Sequence, residues 1–188
     1  PASGPDGDQI VETFYAISHL HEPSYSEADF EYLPNGGWGN DDSTLWVTTW
    51  APWGRVRPKP ADAEHAHDNT SSQMAGSFEG WHTLVMQIDD GVVHYFIDGD
   101  LIGTHRDGYA PTVPLSINFN LWFVEGGLID SKEKRQYIEH VDWVYHEVEA
   151  VLTTDEVESR VDQLRRKSTA FQDTVPDWNP ALPSLCDL

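Results

Sequence analysis

Cysteine and basic residues are scarce in this sequence of 188 residues, and each scarcity excludes a class of protein. The single cysteine, Cys186, lies near the C-terminus, so no disulfide can form within the chain. Lysine and arginine total 11 against 32 aspartate and glutamate residues, which gives a formal net charge of −21. A chain this negative is repelled by nucleic acid and by anionic membrane surfaces, so we expect neither as a partner. Neutral ligands suit the charge better than strongly anionic ones, although adaptation to high salt is an alternative explanation of the acidity.

Long apolar runs and several catalytic motifs are also lacking. No apolar stretch is long enough to span a bilayer. No glycine-rich phosphate loop follows a predicted strand, Gly-x-Ser-x-Gly is absent, and no cysteine lies at a useful spacing from a histidine. Nucleophilic serine or cysteine catalysis therefore has no support. The chain begins at Pro1 with neither an initiator methionine nor a signal peptide, which we interpret as a mature, trimmed or engineered product.

What the sequence has in abundance is aromatic residues and turn formers. Eight tryptophans, seven tyrosines and seven phenylalanines indicate a folded core, and 14 glycines with 12 prolines indicate many turns. Alternating apolar patterns, with an Asp-Gly turn after Asp89, predict antiparallel strands that pack as a sandwich or barrel. The predicted strands cover residues 10–20, 25–32, 45–50, 81–88, 92–97, 101–105, 114–124 and 138–149.

The remaining segments are predicted to be loop and helix. Residues 51–73 are polar and contain proline, which predicts a long loop that either walls a substrate cleft or is disordered. A capping box at Thr153 and Glu156 opens a helical pattern that continues to residue 171. We therefore predict a β-sandwich domain over residues 1–150, followed by a helical extension and tail over residues 151–188.

The stretch most suggestive of chemistry is the acidic strand around Asp29. Glu27, Asp29 and Glu31 alternate with Ala28 and Phe30, which predicts a strand with three carboxylates on one face. Three adjacent carboxylates repel one another, so such a face is either wet or catalytic. Glycoside hydrolysis uses a pair of carboxyl groups, one of which attacks while the other donates a proton. A solvated edge strand is the plain structural alternative.

This stretch resembles the Glu-x-Asp-x-Glu signature of the family 16 glycoside hydrolases. Later segments are similar to that family in the same order: an aromatic-His-Thr strand returning into a Tyr-x-x-Asp-Gly turn, a Pro-(apolar)-Asn-Leu-Trp strand, and a closing Val-Asp strand. In this chain they are residues 81–83 with 95–99, residues 114–122, and residues 141–145. The resemblance covers about residues 10–149.

The resemblance implies a concanavalin-like antiparallel β-jelly roll and a retaining, endo-acting enzyme on a neutral β-linked polysaccharide such as a β-glucan. Glu27 would be the nucleophile, Asp29 the assisting residue and Glu31 the acid/base, and the protein would be extracellular. Two features depart from the family. Only 26 residues precede Glu27, so the family's N-terminal strands are missing from this chain, supplied elsewhere or reduced. The C-terminal helix is not part of the usual pattern either.

Substrate-binding candidates are aromatic platforms and polar side chains outside the acidic strand. Aromatic rings stack on the apolar faces of sugars, although any one tryptophan can equally belong to the core. The predicted substrate-binding residues are Trp38, Trp50, Trp122, Asn120 and His82. The same face without turnover would be a glycan-binding module, and carboxylates that merely face water would be an acidic interaction domain.

No cofactor or metal is predicted to take part in the reaction. The pairs His19 with His21 and His65 with His67 have the i, i+2 spacing of strand ligands, but neither has a further ligand by spacing. The family resemblance allows a structural calcium, with Asp142 as a contributing ligand.

Overall fold

The computed structural model describes residues 7–18, 25–51 and 68–174. Within them the chain is an all-β antiparallel sandwich with one C-terminal helix, as the alternating patterns predicted. The elements are β1 Ile10–Ile17, β2 Glu27–Leu33, β3 Thr44–Trp50, β4 Asn69–Ala75, β5 Leu84–Asp89, β6 Val92–Ile97, β7 Asp100–His105, β8 Ser116–Phe123 and α1 Thr154–Arg166. The chain divides into two compact units, Pro1–Val144 and Tyr145–Leu188.

The first unit contains two antiparallel sheets. The larger has the strand order β4-β3-β2-β1-β8, and the smaller has the order β5-β6-β7. The acidic strand β2 is therefore the central strand of the larger sheet, paired with β1 on one side and β3 on the other. A central strand has no free edge, which excludes the solvated edge strand that the sequence left open.

The sandwich core lies on the face of β2 that points away from the carboxylates. Because side chains alternate along a strand, Ala28 and Phe30 share this inner face. The Phe30 ring meets Tyr95 of β6 edge to face, with ring centroids 5.2 Å apart, and both side chains are buried. Burial of each such side chain contributes on the order of 1.5–3 kcal/mol. The core thus fixes which face of β2 carries the acids.

The hairpin between β5 and β6 has the turn that its sequence predicted. Asp90 and Gly91 both have positive φ, 43° and 74°, in the two-residue loop between Asp89 and Val92. Glycine adopts this conformation freely and aspartate tolerates it, so the Asp-Gly pair sets the register of the hairpin.

Two sequence predictions of secondary structure are wrong. Residues 69–73 of the predicted loop belong to β4, a polar edge strand that pairs with β3, whereas residues 52–67 of that loop lie outside the described residues. The sequence pattern did not predict this strand, because serine, threonine and glutamine give it no apolar alternation. Backbone pairing with β3 forms the strand without a buried apolar row. The predicted strand over residues 138–149 is irregular, since no neighbouring strand pairs with it within the described residues. Its apolar side chains Ile138, Val141, Val144 and Val148 are exposed.

The second unit contains α1, and its N-terminus is built as predicted. Thr153 caps the helix by accepting from the Glu156 N–H, while the Glu156 carboxylate accepts from the Thr153 N–H at 2.8 Å. Val157 and Val161 are buried, one turn apart, on the apolar face of the helix. Phe171, which the periodic pattern had included, lies beyond the end of α1 and is exposed.

Candidate functional site

The candidate site is the outer face of the larger sheet, where the acidic row of Glu27, Asp29 and Glu31 lies on the central strand. Strand register sets the neighbours of each carboxyl group. Asp29 stands between Tyr15 of β1 and Thr48 of β3, and it is only 3% exposed. Glu27 and Glu31 are half-buried. The three groups therefore share a row but do not share the same exposure to water.

Asp29 is held in its neutral form. Its Oδ2 accepts a hydrogen bond of 2.9 Å from the indole Nε1 of Trp50. Burial, and then the charges of Glu27 and Glu31, raise the pKa of Asp29 from 3.8 to about 10. At neutral pH this carboxyl group keeps its proton, which removes one negative charge from the row.

Glu31 titrates near neutrality. Burial, and then the charge of Glu27, raise the pKa of Glu31 from 4.5 to about 7, while the Thr48 hydroxyl at 3.5 Å works in the opposite direction. A general acid works best when its pKa lies near the operating pH, because it then holds a proton that it can also release. Glu31 fits this role.

Glu27 lies beside a hydrogen-bond donor. The phenol hydroxyl of Tyr25 donates a hydrogen bond to its Oε2, and hydrogen bonds to the charged form of a carboxyl group favour that form. The row thus contains a proton carrier at Glu31 and an acceptor of hydrogen bonds at Glu27, separated by a neutral Asp29. Two carboxyl groups whose surroundings separate their protonation states are the arrangement on which acid and nucleophile roles depend.

Polar side chains of β1 and β8 extend the site beyond the acids. Thr13 lies opposite both Glu31 and Asn120 in the register of the larger sheet, so these three side chains share the outer face. The Thr13 hydroxyl donates to the carbonyl oxygen of Asn120 at 3.0 Å and also contacts its side-chain oxygen. The Asn120 amide donates to the Tyr15 hydroxyl at 3.4 Å. Asn120 is exposed, which leaves it accessible to a ligand.

Three tryptophans cluster beside the Glu31 end of the row. Trp46 of β3 pairs with Glu31 in the register. The ring centroid of Trp38 lies 6.0 Å from that of Trp46 and 5.8 Å from that of Trp122. Trp38 and Trp122 are 41% and 36% exposed, so both present ring surface to solvent. At the other end of the row, Trp50 lies opposite Glu27.

A strained turn presents Trp38. Its φ is 52°, a left-handed conformation that is uncommon for a residue other than glycine. Gly37 and Asn40 form a β-bridge around it, with hydrogen bonds of 2.8 Å and 3.0 Å. Strain of this kind is concentrated at functional sites, where surrounding structure enforces it. The turn therefore supports a functional use for this exposed ring.

His82, the remaining predicted binding residue, lies apart from the acidic row. Its Nδ1 is 2.7 Å from Asp98 in the turn between β6 and β7, and its ring contacts Phe78. Phe78 in turn packs on Tyr32, whose position in β2 faces the inner side of the sheet. His82 therefore lies just before β5 of the smaller sheet and does not join the residues of the outer face.

Two contributors to the site were not assigned by the sequence. Trp46 and Tyr25 were only part of predicted strands, those over residues 45–50 and 25–32. The alternation that placed the acids on one face places Trp46 there too, since it pairs with Glu31. Tyr25 lies two residues before Glu27, which is the spacing of strand neighbours on one face. The two-residue alternation of a strand could therefore have placed both residues on the same face as the acids.

No grouping of three or more histidine, cysteine, aspartate or glutamate side chains suited to a metal ion occurs in residues 7–18, 25–51 and 68–174. The predicted histidine pairs at positions 19 and 21 and at positions 65 and 67 lie outside the described residues. Over the same ranges, no helix has both the length and the apolar character needed to cross a membrane.

Comparison of the sequence with models of known protein families, and with curated proteins, finds no match.

Proposed function

We propose that this protein is a retaining glycoside hydrolase that acts on a neutral β-linked polysaccharide such as a β-glucan. The observation that carries the proposal is the contrast along one strand between Glu31, whose pKa is raised to about 7, and Glu27, which accepts a hydrogen bond from a phenol. This contrast matches the two roles that retention requires, a proton donor and an attacking carboxylate.

The chemistry has two steps. In the first, a Glu27 oxygen bonds to the anomeric carbon and the glycosidic carbon–oxygen bond breaks, while Glu31 gives its proton to the departing sugar oxygen. In the second, Glu31 takes a proton from water, the water oxygen bonds to the anomeric carbon, and the Glu27 carboxylate is released. Asp29, neutral and held by Trp50, lies between them and limits the charge of the row.

The surroundings of the row support a saccharide as the substrate. Trp38 and Trp122 offer exposed rings at the Glu31 end, and aromatic rings stack on the apolar faces of sugars. Asn120 supplies amide groups that can bond to sugar hydroxyls. The net charge of −21 favours a neutral polymer over an anionic one. An extracellular location is part of the proposal because the resemblance to the family 16 glycoside hydrolases implies it.

The test is hydrolysis of a panel of soluble β-glucans and galactans, measured as reducing ends released. Glu27→Gln is expected to abolish turnover while leaving the Tm nearly unchanged, because the side chain keeps its shape. Glu125→Gln, which alters an exposed glutamate outside the row, serves as the matched control and should keep full activity. Proton NMR of the first product should give the same anomer as the substrate. Equal activity in Glu27→Gln, or an inverted first product, rules out this mechanism.

The exposed pair of Trp38 and Trp122 also favours a second candidate, a glycan-binding module without turnover. In that case the wild-type protein binds a glucan, by calorimetry, but releases no reducing ends from it. Glu27→Gln would then bind with unchanged affinity.

A further inference from the structure

The backbone just before Glu27 is tied to the end of β1. The N–H of Ser26 donates to the Ser18 hydroxyl oxygen at 2.9 Å, and the N–H of Ser18 donates to the Ser26 carbonyl at 2.9 Å. Both serines are buried. Reciprocal bonds of this kind leave the chain little freedom as it enters β2, so the neighbouring residue Tyr25 enters the site with a fixed direction.

Tyr25 is itself packed, with 8% of its surface exposed, and its hydroxyl donates to Oε2 of Glu27. Burial, followed by this bond to Glu27, raises the pKa of Tyr25 well above its usual value of 10. The phenol therefore keeps its proton at every pH at which an enzyme works. A carboxylate beside it receives a hydrogen bond throughout that range, and such a bond favours the charged carboxylate.

We propose that Tyr25 is a positioning residue whose hydroxyl, bonded to Oε2, holds the Glu27 carboxylate ionised and in place for its attack on the anomeric carbon. The inference rests on the proposed function. During attack a bond forms between a Glu27 oxygen and the anomeric carbon and the glycosidic bond breaks, with the proton for the leaving oxygen coming from Glu31. Tyr25 keeps its own proton throughout and acts through the carboxylate. Nothing in the residue pattern of the acidic motif itself assigns this role.

The kinetic test uses Tyr25→Phe, which retains the buried ring and removes only the donor. With soluble mixed-linkage β-glucan as substrate, we expect kcat to fall about tenfold to a hundredfold, the cost of losing a hydrogen bond to a charged group. KM should change less than about threefold, because the glucan itself loses no contact. The acidic limb of the kcat/KM profile should move about one pH unit higher.

Tyr137→Phe is the matched control. The Tyr137 hydroxyl also donates to a carboxylate, Oδ2 of Asp8 at 2.6 Å, but Asp8 and Tyr137 are not part of the acidic row. The control therefore removes the same chemical group from the same kind of partner. It should leave kcat and the pH profile unchanged even where it lowers the Tm. An equal shift of the pH profile in the control would overturn a specific role for Tyr25.

A second measurement does not depend on turnover. With carboxyl carbons of glutamate labelled with carbon-13, NMR follows the titration of Glu27, whose signal is assigned by its loss in Glu27→Gln. The midpoint of Glu27 should rise by about one pH unit in Tyr25→Phe. An unmoved midpoint overturns the role of Tyr25, whereas a wild-type protein that hydrolyses no member of the glucan panel overturns the proposed function. The two failures are therefore distinguishable.

Discussion

Removal of the Glu27 charge tests whether the acidic row behaves as one electrostatic unit. Glu31 is raised to a pKa of about 7 by burial first and by Glu27 second. Glutamine at position 27 is neutral and close to isosteric, so Glu27→Gln deletes the second cause and leaves the first. We expect the pKa of Glu31 to fall in this variant and to remain above its ordinary value of 4.5.

The magnitude follows from the order of the causes. The pKa of Glu31 is raised by roughly 2.5 pH units in all. Burial supplies the larger part of this rise, so the charge of Glu27 supplies about one pH unit. That unit corresponds to ~1.4 kcal/mol.

The assay is a carbon-13 NMR titration of glutamate carboxyl groups, which needs no activity and therefore works in an inactive variant. The signal of Glu31 is assigned by its loss in Glu31→Gln. In Glu27→Gln the Glu31 midpoint should move from about 7 to about 6. Glu125→Gln, outside the row, should leave it unmoved. An unchanged or higher midpoint in Glu27→Gln would refute the reasoning, because the two groups would then be electrostatically independent.

Two further predictions concern stability and binding. The raised pKa of Asp29 means that the folded chain holds a proton that the unfolded chain releases, so the stability it contributes is complete below pH 3.8 and is lost as the pH rises towards about 10. Asp29→Asn should therefore raise the free energy of unfolding at pH 8 by several kcal/mol, about 1.4 kcal/mol for each pH unit above 3.8, and have little effect at pH 4, measured by urea denaturation; equal effects at both pH values would contradict this. Trp38→Ala should raise KM for the glucan about tenfold with little change in kcat, as expected for a lost stacking platform, whereas Trp81→Ala, which removes a 69% exposed ring outside the tryptophan cluster, should not.

Local patterns were sufficient to predict the acidic strand. The alternation of Glu27, Asp29 and Glu31 with Ala28 and Phe30 is a short-range property, and the structure keeps it because Phe30 must reach the core. The central position of β2 could not be predicted in the same way. It depends on pairing with β1 and β3 and on the distant β8, which joins the sheet from residues 116–123.

The two wrong predictions have opposite physical causes. In β4, backbone hydrogen bonds to β3 create a strand from polar residues, so the apolar pattern gave no signal. Over residues 138–149 the apolar pattern is present, but no described strand offers backbone partners. Alternation records which side of a segment is apolar, whereas a strand also needs a neighbour, and the neighbour is encoded elsewhere in the chain.

The differences among the three carboxyl groups come from donors that the fold brings to them. A phenol donates a hydrogen bond to Glu27 and an indole donates one to Asp29, while an aliphatic hydroxyl lies near Glu31. Because Asp29 is neutral and Glu31 titrates near pH 7, the row carries between one and two charges at neutrality instead of three. This lowers the repulsion that three adjacent carboxylates would otherwise impose on a central strand. The same protonation pattern that makes β2 tolerable in the sheet therefore leaves a proton on Glu31, where the proposed reaction requires one.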